Sequence, residues 1–180
     1  MQLNCFPPKV TCAESQALFK GRMREFRHGK FMFETGFYVP FYLFKVEVKN
    51  GKTQTSNFLA MDAVVGNLDL YSFEQELQDA DFLLIESAQF PPTLLSEAAA
   101  VPLLEEKVRR SVYAKGFFKI SDLKITCTVL RQFYLPYWIG FYERKKQANV
   151  EVIDAVRGQF EGTKLRELVM NWFQAEATTK

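Results

Sequence analysis

Residues 37–47 read FYVPFYLFKVE, and residues 133–143 read FYLPYWIGFYE. In an extended chain the first phrase shows Phe37, Val39, Phe41 and Leu43 on one face and Tyr38, Pro40, Tyr42 and Phe44 on the other. Both faces are apolar. Such a strand has to be covered on both sides, by helices on one and by further chain on the other. Pro40 and Pro136 cannot donate to a central ladder, so each is expected at a bulge, an edge or a tight turn.

The phrase is one of three signals that recur in the same order. Phe6-Pro7-Pro8 returns as Phe90-Pro91-Pro92, and the run Met61-Asp62-Ala63-Val64-Val65-Gly66 returns as Ile153-Asp154-Ala155-Val156-Arg157-Gly158. The offsets are 84 for the first, 96 for the aromatic phrase and 92 for the last. Repetition in order predicts an internal duplication. The first α+β repeat spans 1–90 and the second 91–180, as two domains or one joint globular unit, with the boundary at Pro91, where QFPPT interrupts any helix arriving from before it.

Each repeat reads as a helix, an antiparallel meander and a second helix. In AESQALFKGRMREFR (13–27), Ala17, Leu18, Met23 and Phe26 form a loose helical pattern, weakened by Gly21. Asn50-Gly51 predicts a hairpin turn with both residues at positive φ. Ser72-Phe73-Glu74-Gln75 matches a capping box opening a helix whose inner face is Phe73, Leu77, Ala80 and Leu84. In the second half, Leu104, Val108 and Val112 mark a helix through LLEEKVRRSVYAKG, with Pro102 in its first turn or breaking an earlier one. NVEVID alternates as a return strand, and Leu165, Leu168, Val169, Trp172 and Phe173 mark a closing helix. The fold class is therefore α+β, an internal duplication of a helix–antiparallel meander–helix unit with helices packed on an antiparallel sheet.

The ending VEVIDAVRGQFEG, a strand closing in Asp-Ala and turning through Gly, resembles the last hairpin of PepSY-type repeats, which are small cystatin-like α+β modules often found in tandem. NFLAMDAVVGNL in the first half is similar. The resemblance implies a non-catalytic module that restrains peptidases or binds protein partners. The F-Y-x-P phrase and the lack of a secretory context depart from that family.

Of the 180 residues, 48% are hydrophobic, 24% charged and 15% aromatic, so Phe packing dominates the interior. The net charge of +2 gives no general push toward nucleic acid or membrane. Residues 1–88 hold 9 Lys/Arg against 11 Asp/Glu and residues 89–180 hold 14 against 10, so the halves carry −2 and +4. Three cysteines and one histidine leave no Cys/His zinc site or disulfide framework and fit a reducing compartment. MQLNCFPPKV has neither a basic n-region nor an apolar h-region, and the charge-free run from Gln132 to Tyr142 is too short to span a bilayer. A cytoplasmic chain without a transmembrane segment is expected.

No GxGxxG or GxxxxGK[ST] is present, and no cofactor is expected. His28, in FRHGKF, reads as a helix-end carbonyl cap. Asp62 and Asp154 each precede a glycine by four residues and read as turn acceptors rather than an acid/base pair. Glu74, Glu76, Asp79 and Asp81 read as a solvated acidic face rather than a metal site. No catalytic or metal residues are assigned, and the chain is read as a non-enzyme. The candidate ligand-binding residues are Tyr38, Tyr42, Tyr134 and Trp138, which are core or else line a groove, together with the basic loop Arg144, Lys145 and Lys146. Arg22, Arg24 and Arg27 add charge on the first helix, but the near-neutral total and the missing RNP or OB pattern argue against nucleic acid. The expected partner is a protein, a peptide or a second copy of the chain. The alternative is a cystatin-like pocket protein or enzyme for a small apolar ligand.

Overall fold

The two aromatic phrases lie inside two strands of 21 residues each, Lys30–Asn50 and Lys124–Arg144. The computed structural model describes residues 1–114 and 122–178. In chain order the elements are β1 (Gln2–Cys5), α1 (Cys12–Phe19), α2 (Arg22–His28), β2 (Lys30–Asn50), β3 (Thr53–Asp62), β4 (Tyr71–Phe73), a 3-10 turn (Asp79–Asp81), β5 (Leu83–Glu86), α3 (Glu97–Ala114), β6 (Lys124–Arg144), β7 (Gln147–Asp154), β8 (Gln159–Phe160) and α4 (Thr163–Thr178). The class is α+β. The chain divides into two units, each drawn from both halves of the sequence: residues 1–39, 82–91 and 134–180 form the first, and 40–81 and 92–133 the second. One junction falls between Pro91 and Pro92.

In the second unit β3 pairs antiparallel with β2 from Phe41↔Asp62 to Asn50↔Thr53, and β4 adds to β3. Tyr42, Phe44, Val46 and Met61 pack with Ala100, Leu104 and Val108 of α3 and with Ile125 and Cys127 of β6. Phe41, one residue out of phase, instead meets Tyr71 edge-on at 5.5 Å and Phe133 at 6.4 Å. Both faces of this half of β2 are thus buried, as its double apolar pattern requires. Ala100, Leu104 and Val108 are spaced i, i+4, i+8, so α3 presents one stripe to the sheet. Pro102 lies six residues into α3, past the first turn, where the carbonyl it deprives of a donor belongs to exposed Ala98. The expected continuation of this helix into Lys115 and Gly116 lies outside the described residues.

In the first unit β7 pairs antiparallel with β6 from Tyr137↔Asp154 to Arg144↔Gln147, and β8 adds to β7. β1 pairs parallel with β6 at Cys5↔Tyr134 and antiparallel with β5, so the sheet is mixed rather than purely antiparallel. The first half of β2 lies beside β6. Phe33 stacks on Phe141 at 4.5 Å, and Gly36 lies against Trp138. From α4, Leu165 and Val169 are buried, while Trp172 and Phe173 pack on Phe37 at 5.2 and 6.1 Å. Phe19 closes α1 as a fully buried ring between Phe31, Tyr142 and Phe160. Gly140 makes room for it, since a Cβ there would stand 2.6 Å from the Phe19 ring.

Several expectations are corrected. No helix starts at Ser72: Phe73 pairs opposite Phe58 and meets Phe133 at 6.3 Å, and the Asp81 carboxylate then closes a short turn by accepting the Gln78 N–H. Aromatic burial in a strand outweighs the local capping signal. The first hairpin turns one residue later than expected, through Gly51-Lys52, with Asn50 still paired and only Gly51 at positive φ (58°). The helix over 13–27 is two helices, broken at Gly21 and opened by a Thr11/Glu14 capping box. Pro40 and Pro136 lie within their strands, each just before the first residue paired to the return strand, and their carbonyls accept the N–H of Ala63 (2.8 Å) and Ala155 (3.1 Å).

Candidate functional site

The seven residues RMREFRH of α2 in the first unit have two faces of different character. Because Gly21 starts the helix afresh, Arg24 and His28, one turn apart, face inward. Arg24 Nη1 lies 3.2 Å from Glu151 Oε2, and His28 Nε2 lies 3.4 Å from Glu151 Oε1. Arg166 of α4 donates to the same Oε1 at 2.6 Å. The Arg24 guanidinium also lies 3.0 Å from the Phe160 ring centroid. Glu151 itself is buried on β7. Burial pushes the His28 imidazole below its ordinary range, Glu151 opposes that shift, and Arg24, Arg27 and Arg166 add to it. His28 therefore belongs to a buried charge cluster and is not a carbonyl cap.

The outward face carries two members of the loose apolar pattern. Met23 is 82% exposed and Phe26 85% exposed. Arg22, Met23, Phe26, Arg27 and Arg144 line an open depression of about 540 Å³. Gly29 (φ 105°) ends α2 against the β6–β7 hairpin, where a Cβ would overlap the Glu143 carbonyl. Arg144 Nη1 donates to the Arg27 carbonyl (2.8 Å), and Asn149 Nδ2 donates to the His28 carbonyl (3.1 Å). The hairpin tip is thereby fastened to the end of α2. Its two turn residues are Lys145 (φ 50°) and Lys146 (φ 66°), both exposed.

Of the sequence candidates, Arg144 meets α2 at this surface, and Lys145 and Lys146 follow it as the exposed turn of the same hairpin. None of the aromatic four lines it: Tyr42 and Tyr134 are buried, and Tyr38 and Trp138 are half-buried. Tyr42, in the second unit, is buried and its hydroxyl donates to the Leu95 carbonyl at 3.0 Å, with burial raising its pKa. In the first unit Tyr134 is buried with Leu3 and Cys5 and meets Phe90 at 5.8 Å. Tyr38 is half-buried against that cluster, and half-buried Trp138 donates its indole N–H to the Val10 carbonyl at 2.8 Å. Met23, Phe26 and Glu151 were missed by sequence reasoning. Periodicity carried across Gly21 puts the first two in one loose apolar pattern with Ala17 and Leu18, and alternation in NVEVID marks a return strand without singling out Glu151. The glycine was the available signal.

Other titratable groups are engaged in the fold. Asp62 is fully buried, and one carboxylate oxygen accepts the N–H of Val64 (3.3 Å), Val65 (2.7 Å) and Gly66 (2.8 Å) while the other accepts Leu68 N–H (2.9 Å). Asp154 accepts the N–H of Val156 (2.7 Å) and Arg157 (2.8 Å). Burial pushes the thiols of Cys5 and Cys127 up to about 12. Exposed Cys12 donates to Glu34 Oε1 (2.8 Å), which raises its pKa as well. Ellman's reagent is expected to titrate one thiol in the native protein, that of Cys12, and all three in denaturant. Loss of that single native reaction in Cys12→Ser checks the assignment.

Among the described residues no group of three or more His, Cys, Asp or Glu side chains is placed to hold a metal ion. No helix among them is long and apolar enough to cross a membrane. No protein-family model matches the chain, and no curated protein or solved structure is significantly similar to it.

Proposed function

We propose that the chain is a non-enzymatic binding module, built by internal duplication of a PepSY-like α+β unit, and that it acts on a protein or peptide partner through the outward face of α2 and the β6–β7 hairpin. The observation that carries this reading is the exposure of Met23 and Phe26 within a ring of arginines. Two large apolar side chains at more than four-fifths exposure lose free energy to water that a partner's surface would recover. Candidate catalysts are occupied elsewhere: the Asp62 carboxylate by turn amides, His28 by Glu151, and two thiols by burial.

Duplication is supported by matched detail at the two Asp-Ala-Val-x-Gly turns. Each aspartate ends a return strand, each following alanine donates to the carbonyl of the phrase proline, and each glycine has positive φ, 67° for Gly66 and 71° for Gly158. Within the second unit Leu94 and Leu95 donate to the Ala63 carbonyl, and within the first Lys9 and Val10 donate to the Ala155 carbonyl. Both donor pairs follow a Phe-Pro-Pro. Three free thiols fit a reducing, cytoplasmic setting.

The test is Met23→Ser/Phe26→Ser. Because both side chains stand in solvent, the double variant should melt within about 2 °C of the wild type while its binding to a partner peptide falls by about tenfold or more. Unchanged affinity would end the reading.

A further inference from the structure

We propose that the Lys145-Lys146 tip is the anion-reading element of this surface and that the segment it captures is an acidic stretch of protein with an apolar anchor. The inference rests on the preceding reading that α2 and this hairpin form a binding face.

A two-residue hairpin turn with both residues at positive φ is the arrangement for which Asn-Gly is suited, because a Cβ crowds the backbone there. The β2–β3 hairpin meets its turn with Gly51 at φ 58°. The β6–β7 hairpin places lysine at both positions, at φ 50° and 66°. Two like charges sit side by side on a strained backbone at the end of a ladder that pairs without interruption from Tyr137 to Arg144. Strain of this kind persists only where the surrounding structure imposes it, and it gathers at working sites. Here the ladder and the Arg144 and Asn149 bonds to α2 impose it.

The charge of the face points to the chemistry of the occupant. Arg22, Arg27, Lys145 and Lys146 form no ion pair among the described residues, and Arg144 is held by a carbonyl rather than a carboxylate. The acids nearby in sequence are Glu143 and Glu25, and Glu25 is turned to the Phe31 N–H. Arginine forks match carboxylates in pairs, while the apolar pair Met23 and Phe26 borders a depression that takes a side chain. A bilayer takes up a continuous apolar helix face, whereas α2 has seven residues and exposes two large apolar side chains. Single-stranded nucleic acid favours successive stacking rings, and among the described residues Phe26 is the one ring lining this depression. An acidic peptide with an apolar anchor satisfies both features.

The experiment uses the full chain and three probes: a fluorescein-labelled peptide rich in Asp and Glu around a Phe-Leu pair, labelled oligothymidine, and vesicles of phosphatidylserine and phosphatidylcholine. The peptide should bind best, with an affinity that falls as salt rises. Lys145→Asn/Lys146→Gly should melt a few degrees higher than the wild type, because the strain is relieved, and should bind the peptide about tenfold more weakly. Lys145→Arg/Lys146→Arg should keep the affinity. A Lys145→Asn/Lys146→Gly variant that binds as tightly as wild type, or fails to gain stability, overturns the proposal, as does loss of affinity in Lys145→Arg/Lys146→Arg. So does a wild type that prefers oligothymidine or vesicles, or binds no probe. If Met23→Ser/Phe26→Ser keeps full affinity while Lys145→Asn/Lys146→Gly loses it, the tip's role stands and the apolar reading above falls.

Discussion

Asp62→Ala is expected to destabilise the protein by about 4 kcal/mol and to lower its melting temperature by about 10 °C. The carboxylate is fully buried and accepts four backbone N–H groups, from Val64, Val65, Gly66 and Leu68. Three of the four bonds are buried, so water cannot take the lost acceptor's place without opening the turn. Gly66 shares the dependence: its φ is 67°, and a Cβ on it would overlap Leu103. Asp62→Asn keeps one acceptor oxygen and should recover about half of the loss. Urea denaturation of the three proteins checks the series. A loss below about 1 kcal/mol for the alanine variant would mean that the turn is not held by this carboxylate.

Glu151→Ala has the second-largest expected effect, about 3 kcal/mol. Removing the acid leaves Arg24, Arg166 and His28 facing one another on the inner side of α2, α4 and β7. The full cost of a broken buried pair is discounted because Arg24 and Arg166 are 31% and 34% exposed and keep part of their hydration. The same cluster sets a pH response. His28 has its pKa lowered in the folded chain, first by desolvation, from the ordinary 6.5. On acidification the unfolded chain takes up the proton first, so this group's stability is fully present above about 6.5 and is lost as pH falls through the folded value. His28→Gln should flatten that part of the melting-temperature profile while leaving the alkaline side unchanged. An identical acid slope in the variant would assign the response to the carboxylates alone.

The α+β class, the strand character of both aromatic phrases, the return strands, α3 and α4 were legible because their residues obey one rule at every level. Leu165, Leu168, Val169, Trp172 and Phe173 repeat at helical spacing and have an aromatic-rich sheet to pack on. Over residues 41–44 β2 is apolar on both faces and buried on both. Local signals failed where tertiary partners decided the outcome. Ser72 to Gln75 carries a valid helix start, yet Tyr71 and Phe73 gain more as strand residues against Phe41 and Phe133. The parallel contact of β1 with Tyr134 has no local signature, since it joins segments far apart in the chain.

The candidate site was half legible for a related reason. Charge density marks Arg144, Lys145 and Lys146 directly, whatever the fold around them. Facing is different, because it depends on helix phase. A single break at Gly21 turns Arg24 and His28 toward Glu151 and releases Met23 and Phe26 to the surface. The aromatic phrases drew attention as a groove, whereas Tyr42 and Trp138 hand their polar atoms to backbone carbonyls and lie largely in the interior.

Amide NMR of the isotope-labelled chain, titrated with the acidic-apolar peptide, is the most direct measurement of where binding occurs. Shifts centred on Arg22 to Arg27 and Arg144 to Lys146 are predicted, with the amides of Tyr38, Tyr42, Tyr134 and Trp138 unmoved. Shifts centred on those four aromatic positions, with α2 and the lysine tip silent, would contradict the account.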